Sequence, residues 1–373
     1  MGINVHVVAP HAPGLQKDDI LDGVFIHRFQ YIYPAKYQSL AYAPGIPENI
    51  KKLKNKLQII PFLVAMFLKF RQILKKYPID IVNAHWLVPS GVLSFYAERV
   101  YGIPVIVKLY GADLHLIKSK MPFLGKIFAG ILNNSTKIIS NSSYTKKLAS
   151  AFLNISSNKI NVLHDGVDVI RYFPRYKEKR QDQTKIILSC GRMVERKGFH
   201  YLIKAFYMVT KKHPSARLIL VGDGPERPTL ETEVRRLQIE KRVVFARNVS
   251  DAELFQYYKM SDIFVLPAII DANGDTEGLG LVLLEAMASG IPVIGSDVGG
   301  IPDIISENAD YGFLVPPANA EILAAKILFF LDNPEKISDF GKKGRKVVEN
   351  LFSWQQIARK YVVLFKSTLE DTH

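Results

Sequence analysis

Cysteine is almost absent from this chain: Cys190 is the only one among 373 residues. No disulfide can form within it, and a single thiol inside the apolar run 185–190 reads as a buried strand residue in a reducing compartment. No uncharged apolar run reaches the roughly 18 to 20 residues that span a bilayer. The opening Met1-Gly2-Ile3-Asn4-Val5-His6 does not have the form of a secretory signal. Zinc-finger spacing, a ribonucleoprotein-type aromatic motif and a compact helix-turn-helix signal are all missing, which argues against nucleic acid as a partner. No Gly-x-Gly-x-x-Gly with a downstream acid follows a first strand, which argues against a nicotinamide dehydrogenase. The turn Asp271-Ala272-Asn273-Gly274-Asp275 lacks the glutamate that an EF-hand needs at its last position, so it reads as a polar turn and no metal is expected.

What is present is ample apolar content, 48% of residues with 11% aromatic, in a length that suggests two domains. The formal net charge is +14, and its distribution says more than its size. Residues 1–180 hold 25 Lys and Arg against 10 Asp and Glu, whereas 181–373 hold 24 against 25. The whole positive excess lies in the first half, a field that favours an anionic surface or ligand such as phospholipid or a lipid diphosphate. The segment 59–68, IIPFLVAMFL, is uncharged and lies between Lys51, Lys52, Lys54, Lys56 and Lys69, Arg71, Lys75, Lys76. It reads either as a basic, aromatic-bearing helix lying in a membrane interface or as a helix buried against a sheet.

Short β-branched runs alternate with helical patterns in both halves. Strands are expected over 3–9, 24–29, 79–84, 104–109, 137–140 and 159–163. The second half offers 185–189, 217–221, 242–245, 263–266, 292–295 and 312–315. This is the pattern of parallel sheets with crossover helices, repeated twice. The expected fold class is therefore α/β, with two Rossmann-like doubly wound domains facing across a cleft. The boundary is expected within 168–185, at the charged segment 175–183.

Two constellations carry chemistry. In Glu277-Gly278-Leu279-Gly280-Leu281, a glycine-bearing turn leads into a helix that holds Glu285. A free helix N-terminus offers unpaired N–H groups and a positive dipole end to an anion. Glu277 and Glu285 are then suited to accept from sugar hydroxyls, so the pattern describes a nucleotide-sugar. The competing view is a capped helix with solvated glutamates. The second constellation, Gly191-Arg192-Met193-Val194-Glu195-Arg196-Lys197-Gly198, joins a strand to a helix. There Arg192 can grip two phosphate oxygens and Lys197 adds a point charge, unless these are surface cations. Gly222 in Gly222-Asp223-Gly224-Pro225 could let a base approach the backbone. His85-Trp86 and Asp113-Leu114-His115 follow strands of the first half and could face an acceptor sugar.

Together these residues resemble the retaining, nucleotide-sugar-dependent glycosyltransferases of the large group 1 family, family four, which have the GT-B fold. The resemblance covers most of the chain and rests on Gly191-Arg192 to Lys197-Gly198, Val221-Gly222-Asp223-Gly224-Pro225, and Glu277 through Glu285. It implies an N-terminal acceptor domain over 1–170 and a C-terminal donor domain over 171–352, with the helix 353–373 packing back on the first. It also implies that Arg192 and Lys197 hold the donor diphosphate with backbone N–H groups of Gly278, Leu279, Gly280 and Leu281. Glu277 would bind the donor sugar and Glu285 the ribose, while the backbone near Asn248 and Val249 would meet the base. No cofactor and no metal is implied. The acceptor would be a lipid-linked or glycan precursor, and the site of action the cytoplasmic face of the cell membrane.

Two departures from the family pattern matter. Where many relatives carry a His before Gly-x-Asp, this chain has Tyr110 in Tyr110-Gly111-Ala112-Asp113. A neutral phenol donates a hydrogen bond to a sugar oxygen but cannot act as a proton carrier near pH 7. The chain also starts at what resembles the family's second strand, so either translation begins upstream of Met1 or the first domain is incomplete. Two rivals stay open: a truncated remnant that only binds a nucleotide-sugar, and a nucleotide-sugar epimerase of the same fold.

Overall fold

The computed structural model describes residues 2–42, 45–174, 184–247 and 249–371. The charged segment 175–183, where the domain boundary was expected, and Asn248 lie outside the described residues. The chain divides into two compact units, one comprising Met1–Val107, Asn134–Thr136 and Phe365–His373, the other Lys108–Asn133 and Lys137–Leu364.

Thirteen strands are formed among the described residues: β1 (His6–Pro10), β2 (Asp18–Leu21), β3 (Val24–Phe29), β4 (Val82–His85), β5 (Val105–Leu109), β6 (Lys137–Ser140), β7 (Ile160–Val162), β8 (Ile186–Cys190), β9 (Arg217–Val221), β10 (Val243–Ala246), β11 (Ile263–Leu266), β12 (Val293–Ser296) and β13 (Gly312–Val315). Twelve fall where the sequence pattern puts them, within a few residues at either end. The thirteenth, β2, was not expected. Its run Asp-Asp-Ile-Leu has no apolar alternation, and β2 pairs antiparallel with β3, so the first sheet is mixed rather than purely parallel. The two-residue turn Asp22-Gly23, both at positive φ, makes that hairpin.

The first sheet has the order β1-β3-β2, and a four-stranded sheet has the order β4-β5-β6-β7. β1 and β4 are both terminal strands. Val5 and Val7 are exposed beside the edge of β1. Helix Ile59–Lys76 packs on the first sheet through Phe62, which meets Phe29 and Tyr31 edge-on.

The six-stranded sheet of the larger unit has the order β10-β9-β8-β11-β12-β13 and is parallel throughout. Numbered from its own first strand this is 3-2-1-4-5-6, the order of dinucleotide-binding folds. Alternate residues of its strands enter two cores. Ile187, Leu218 and Leu220 join Phe206, Ile327 and Phe330 on one face. Leu188, Ile219 and Val221 join Leu283, Leu284 and Met287 on the other. Both faces being covered explains why these strands read as continuous apolar runs. Burial pushes the Cys190 thiol up to about 12, so it is an inert core residue. The reversal of strand order lies between β8 and β11, and in such sheets ligands bind beyond the strand ends at this point.

Candidate active site

Beyond β8 the chain turns through Gly191 and a short 3₁₀ turn, Glu195–Lys197, into helix Phe199–Lys212. Gly198 closes this turn at φ +64°, and a Cβ there would sit 2.0 Å from the carbonyl oxygen of Pro267. Only glycine fits. Its fit fixes Lys197, whose stem runs over Gly191 and whose ammonium pairs with the Glu277 carboxylate. Arg196 stands beside it, with Nη1 3.8 Å from Glu277 Oε2 and Nε 3.3 Å from Asp275 Oδ2.

Glu277 leads into helix Leu281–Ala288, which begins at Gly280 (φ +95°) with no side-chain cap. The Leu283 N–H returns to the Gly280 carbonyl oxygen at 2.8 Å, and no side chain caps the N–H groups ahead of it, a geometry suited to an anion. Lys197, Arg196, Glu277, Gly278, Leu279, Gly280 and Leu281 line one cavity of about 490 Å³, a size that suits a small-molecule ligand. Burial pushes the Glu277 carboxyl up, but Lys197, and behind it Arg196, more than offset this and hold it below the usual carboxylate range. The group is an ionised acceptor.

The other candidates are placed unequally. Arg192 is exposed and does not line this cavity. Gly191 and Gly222 pack against each other at the ends of β8 and β9, where a Cβ on Gly222 would sit 2.1 Å from the Gly191 carbonyl oxygen. Val249 packs on the second core. Glu285 accepts from Tyr258 Oη at 2.7 Å, and burial raises its carboxyl above the ordinary value despite the phenols around it. Tyr110 lines the cavity, and burial pushes its phenol far up, so it stays protonated. Asp113 is fully buried, and its Oδ1 accepts from the N–H groups of Tyr110 and Leu114, which shapes the loop. His85 ends β4 and Trp86 follows at φ +72°, both in the smaller unit.

His115, offered by the sequence as facing an acceptor sugar, lines the cavity, and so do Asn141, Tyr144, Asp165 and Asp275, which were not among the sequence candidates as site groups. His115 Nε2 lies 3.3 Å from Tyr144 Oη and 3.5 Å from Asp275 Oδ1. Asp275 had read as part of a polar turn, and Asp271 Oδ1 does accept from the N–H groups of Asn273 and Asp275 there. Asn141 and Asp165 carry no local motif. Each merely follows a strand, so topology alone reveals them. Among the described residues no group of three or more His, Cys, Asp or Glu side chains is placed to hold a metal.

With this geometry in place, comparison with known proteins defines the class. The family model for glycosyl transferases group 1 matches residues 173–347, and that for glycosyltransferase family 4 matches 1–171. The chain belongs to the group 1 glycosyltransferases and has their GT-B fold of two Rossmann-like domains. It is 27% identical over 323 residues to N-acetyl-alpha-D-glucosaminyl L-malate synthase of Bacillus anthracis, covering 84% of this chain and 81% of that protein. It is 29% identical over 309 residues to the GDP-mannose-dependent monoacylated alpha-(1-6)-phosphatidylinositol monomannoside mannosyltransferase of Corynebacterium glutamicum, covering 79% and 78%. Among solved structures, sucrose-phosphate synthase from Thermosynechococcus elongatus superposes with a TM-score of 0.77 at 22% identity, over 99% of this chain and 90% of that one. Anabaena HepE in complex with UDP-glucose gives 0.69 at 19% identity, over 92% and 86%.

Proposed function

We propose that this chain moves a sugar, with retention of configuration, from a nucleotide-sugar to a lipid-linked or glycan acceptor. The observation that carries this reading is the shared cavity of Lys197, Glu277 and the uncapped tip of helix Leu281–Ala288. In it, Lys197 and the backbone N–H groups at the tip would take the donor diphosphate, and Glu277 the sugar hydroxyls. Arg192, Arg196 and the base-facing backbone at Val249 belong to the donor side of this reading, and Tyr110 to the acceptor side. Residues 171–352 would bind donor and residues 1–170 acceptor. In the reaction the bond from the anomeric carbon to the leaving phosphate oxygen breaks. A bond from that carbon to the acceptor oxygen forms on the same face, and the acceptor proton passes to the leaving phosphate. Catalysis is then positioning plus charge stabilisation, and no metal or cofactor takes part. A panel of UDP-, GDP- and ADP-sugars, followed by thermal shift and by release of nucleoside diphosphate, tests this. Stabilisation by one family of donors with turnover supports the reading, and stabilisation by none refutes it.

The same reading puts the enzyme peripherally at the cytoplasmic face of an anionic membrane. Support comes from the stretch Leu53–Lys76. By length and composition alone it could cross a bilayer, and its main helix, Ile59–Lys76, runs on past the uncharged run 59–68. One side is tied down by Phe62, Ile73, Leu74 and the ion pair of Lys69 with Asp18 at 2.9 Å. The other exposes Leu53, Leu57, Ile60, Val64 and Leu68, spaced for one face, with Lys51, Lys52, Lys54 and Lys56 exposed at its start. An apolar stripe with lysines at its end suits the headgroup boundary of a bilayer. Changing those four lysines to Gln is expected to weaken binding to phosphatidylglycerol vesicles at low salt by at least about tenfold, given roughly 1 kcal/mol per cation near the surface. Binding that neither the substitutions nor salt alters would mean that this face does not meet lipid.

A further inference from the structure

Three consecutive strand ends of the larger unit deliver one side chain each to the cavity: Tyr110 after β5, Asn141 after β6 and Asp165 three residues beyond β7. Two of them have unused accepting capacity. Asn141 is 6% exposed, and its Oδ1 is buried with no hydrogen-bond partner among the described residues. A buried amide oxygen left this way costs free energy until a ligand or water donates to it. Asp165 accepts at Oδ1 from Lys108 Nζ at 2.6 Å, and among the described residues no other hydrogen bond reaches its carboxylate. Lys108 is itself 1% exposed, an ammonium planted within β5. Its only ion pair among the described residues holds a carboxylate at the cavity wall. A buried charge kept at this expense needs its partner, so the pair fixes Asp165 in place.

We propose that Asn141 and Asp165 form the seat of the acceptor, that they bind it through hydrogen-bond-donating hydroxyls, and that Lys108 positions Asp165 for this task. The inference rests on the glycosyl-transfer reading and deepens it by naming the acceptor chemistry. Asp165 accepts, and the Asn141 amide has an oxygen without a donor and an Nδ2 that lies towards Gly278, so a group that both donates and accepts, as a hydroxyl does, fits the pair. Glu277 and Asp275 are paired with Lys197 and Arg196, the cations that would serve the donor diphosphate, whereas a phosphate or carboxylate set against the Asp165 carboxylate meets like charge, which leaves an uncharged hydroxyl for this spot. The seat adjoins the donor end of the cavity. A Cβ on Gly278 would lie 3.4 Å from the Tyr110 carbonyl oxygen and 3.8 Å from Asn141 Nδ2. A hydroxyl held by Asn141 and Asp165 therefore stands within one sugar's width of the helix tip that would hold the diphosphate.

Calorimetric titration of the full chain, saturated with UDP or GDP, provides the test. The probes are octyl glucoside and octyl glucuronide below their micellar concentrations, which differ by one carboxylate. The wild-type protein is expected to bind the glucoside at least about tenfold more tightly than the glucuronide. Asn141→Ala is expected to weaken the glucoside by about tenfold, the worth of one hydrogen bond near its upper range. The pair Lys108→Met/Asp165→Asn removes both charges together and avoids an orphaned buried ammonium, and it is expected to do the same. In all variants nucleotide affinity should stay within about twofold. The proposal is overturned if the wild type binds nucleotide but no glucoside, if the glucuronide binds equally well, or if neither variant changes the glucoside. A loss of nucleotide affinity in the variants overturns it too, because it would move both residues to the donor side. Failure of the wider reading looks different: the wild type then binds no nucleotide.

Discussion

Replacing Glu277 with Ala is expected to lower glycosyl transfer at least about a hundredfold, the scale of losing one preorganised charged contact to a transition state. It should leave the affinity for UDP or GDP unchanged or tighter. The two halves of this result come from one ion pair. Glu277 is held ionised by Lys197 with Arg196 behind it, which makes it a strong acceptor for a sugar hydroxyl. The same carboxylate engages the ammonium that would otherwise turn wholly to a diphosphate. Its removal frees Lys197 for phosphate while taking away the grip on the sugar. Steady-state release of nucleoside diphosphate and calorimetry with the free nucleotide measure the two effects separately. Wild-type turnover in the variant would take Glu277 out of the sugar site, and a large loss of nucleotide affinity would make the pair structural. Glu277→Gln preserves the shape and serves as the folding control. The folded carboxyl lies below its ordinary value of 4.5, so its stabilising contribution is complete above that value. That contribution is lost as pH falls through the folded pKa, and the Gln variant should show a flatter acid limb below about pH 4.5.

The larger unit was legible because its strands are buried on both faces and appear as uninterrupted apolar runs between glycine turns. Lys197 and Glu277 were legible for a similar reason. Each lies in a short glycine-bearing junction whose backbone shape a sequence can announce, as Gly198 and Gly280 do. Arg192 shows the limit of that logic. From the junction alone Arg192 and Lys197 looked alike, but the 3₁₀ turn Glu195–Lys197 brings residues 196 and 197, not 192, to the wall of this cavity. Asn141 and Asp165 lie 24 residues apart without any shared pattern, and the pairing of β6 with β7 brings both to one cavity. The strand β2 was hidden because its pairing depends on a turn rather than on apolar alternation. Local chemistry is written in short motifs. Chemistry assembled from successive strand ends is written in the topology.

Glu285→Gln is expected to raise the stability of the free protein and lower its affinity for nucleotide in one step. Burial holds the Glu285 carboxyl above its ordinary 4.5, and the phenol of Tyr258, itself fully buried, donates to it. A raised carboxyl favours the folded state below the unfolded value and loses that advantage as pH climbs through the folded one, so near neutrality the charge is a standing cost. The neutral amide keeps an oxygen for Tyr258 and removes the charge. The melting temperature should rise at pH 7 by about 2 to 4 °C, the shift that 1 kcal/mol makes in a domain of 150–250 residues. The gain should vanish below about pH 4.5. If the carboxylate is there to accept from the ribose, nucleotide binding should fall about tenfold or more, since hydrogen bonds to a charged group are stronger than neutral ones. Thermal melts with and without UDP or GDP would then cross: the variant more stable when empty, the wild type more stable when loaded. Curves that do not cross, with the variant ahead in both states, would mean that Glu285 is kept for the core and not for the ligand. A residue retained against its own folding cost at the switch point of a parallel sheet is where a binding role is expected.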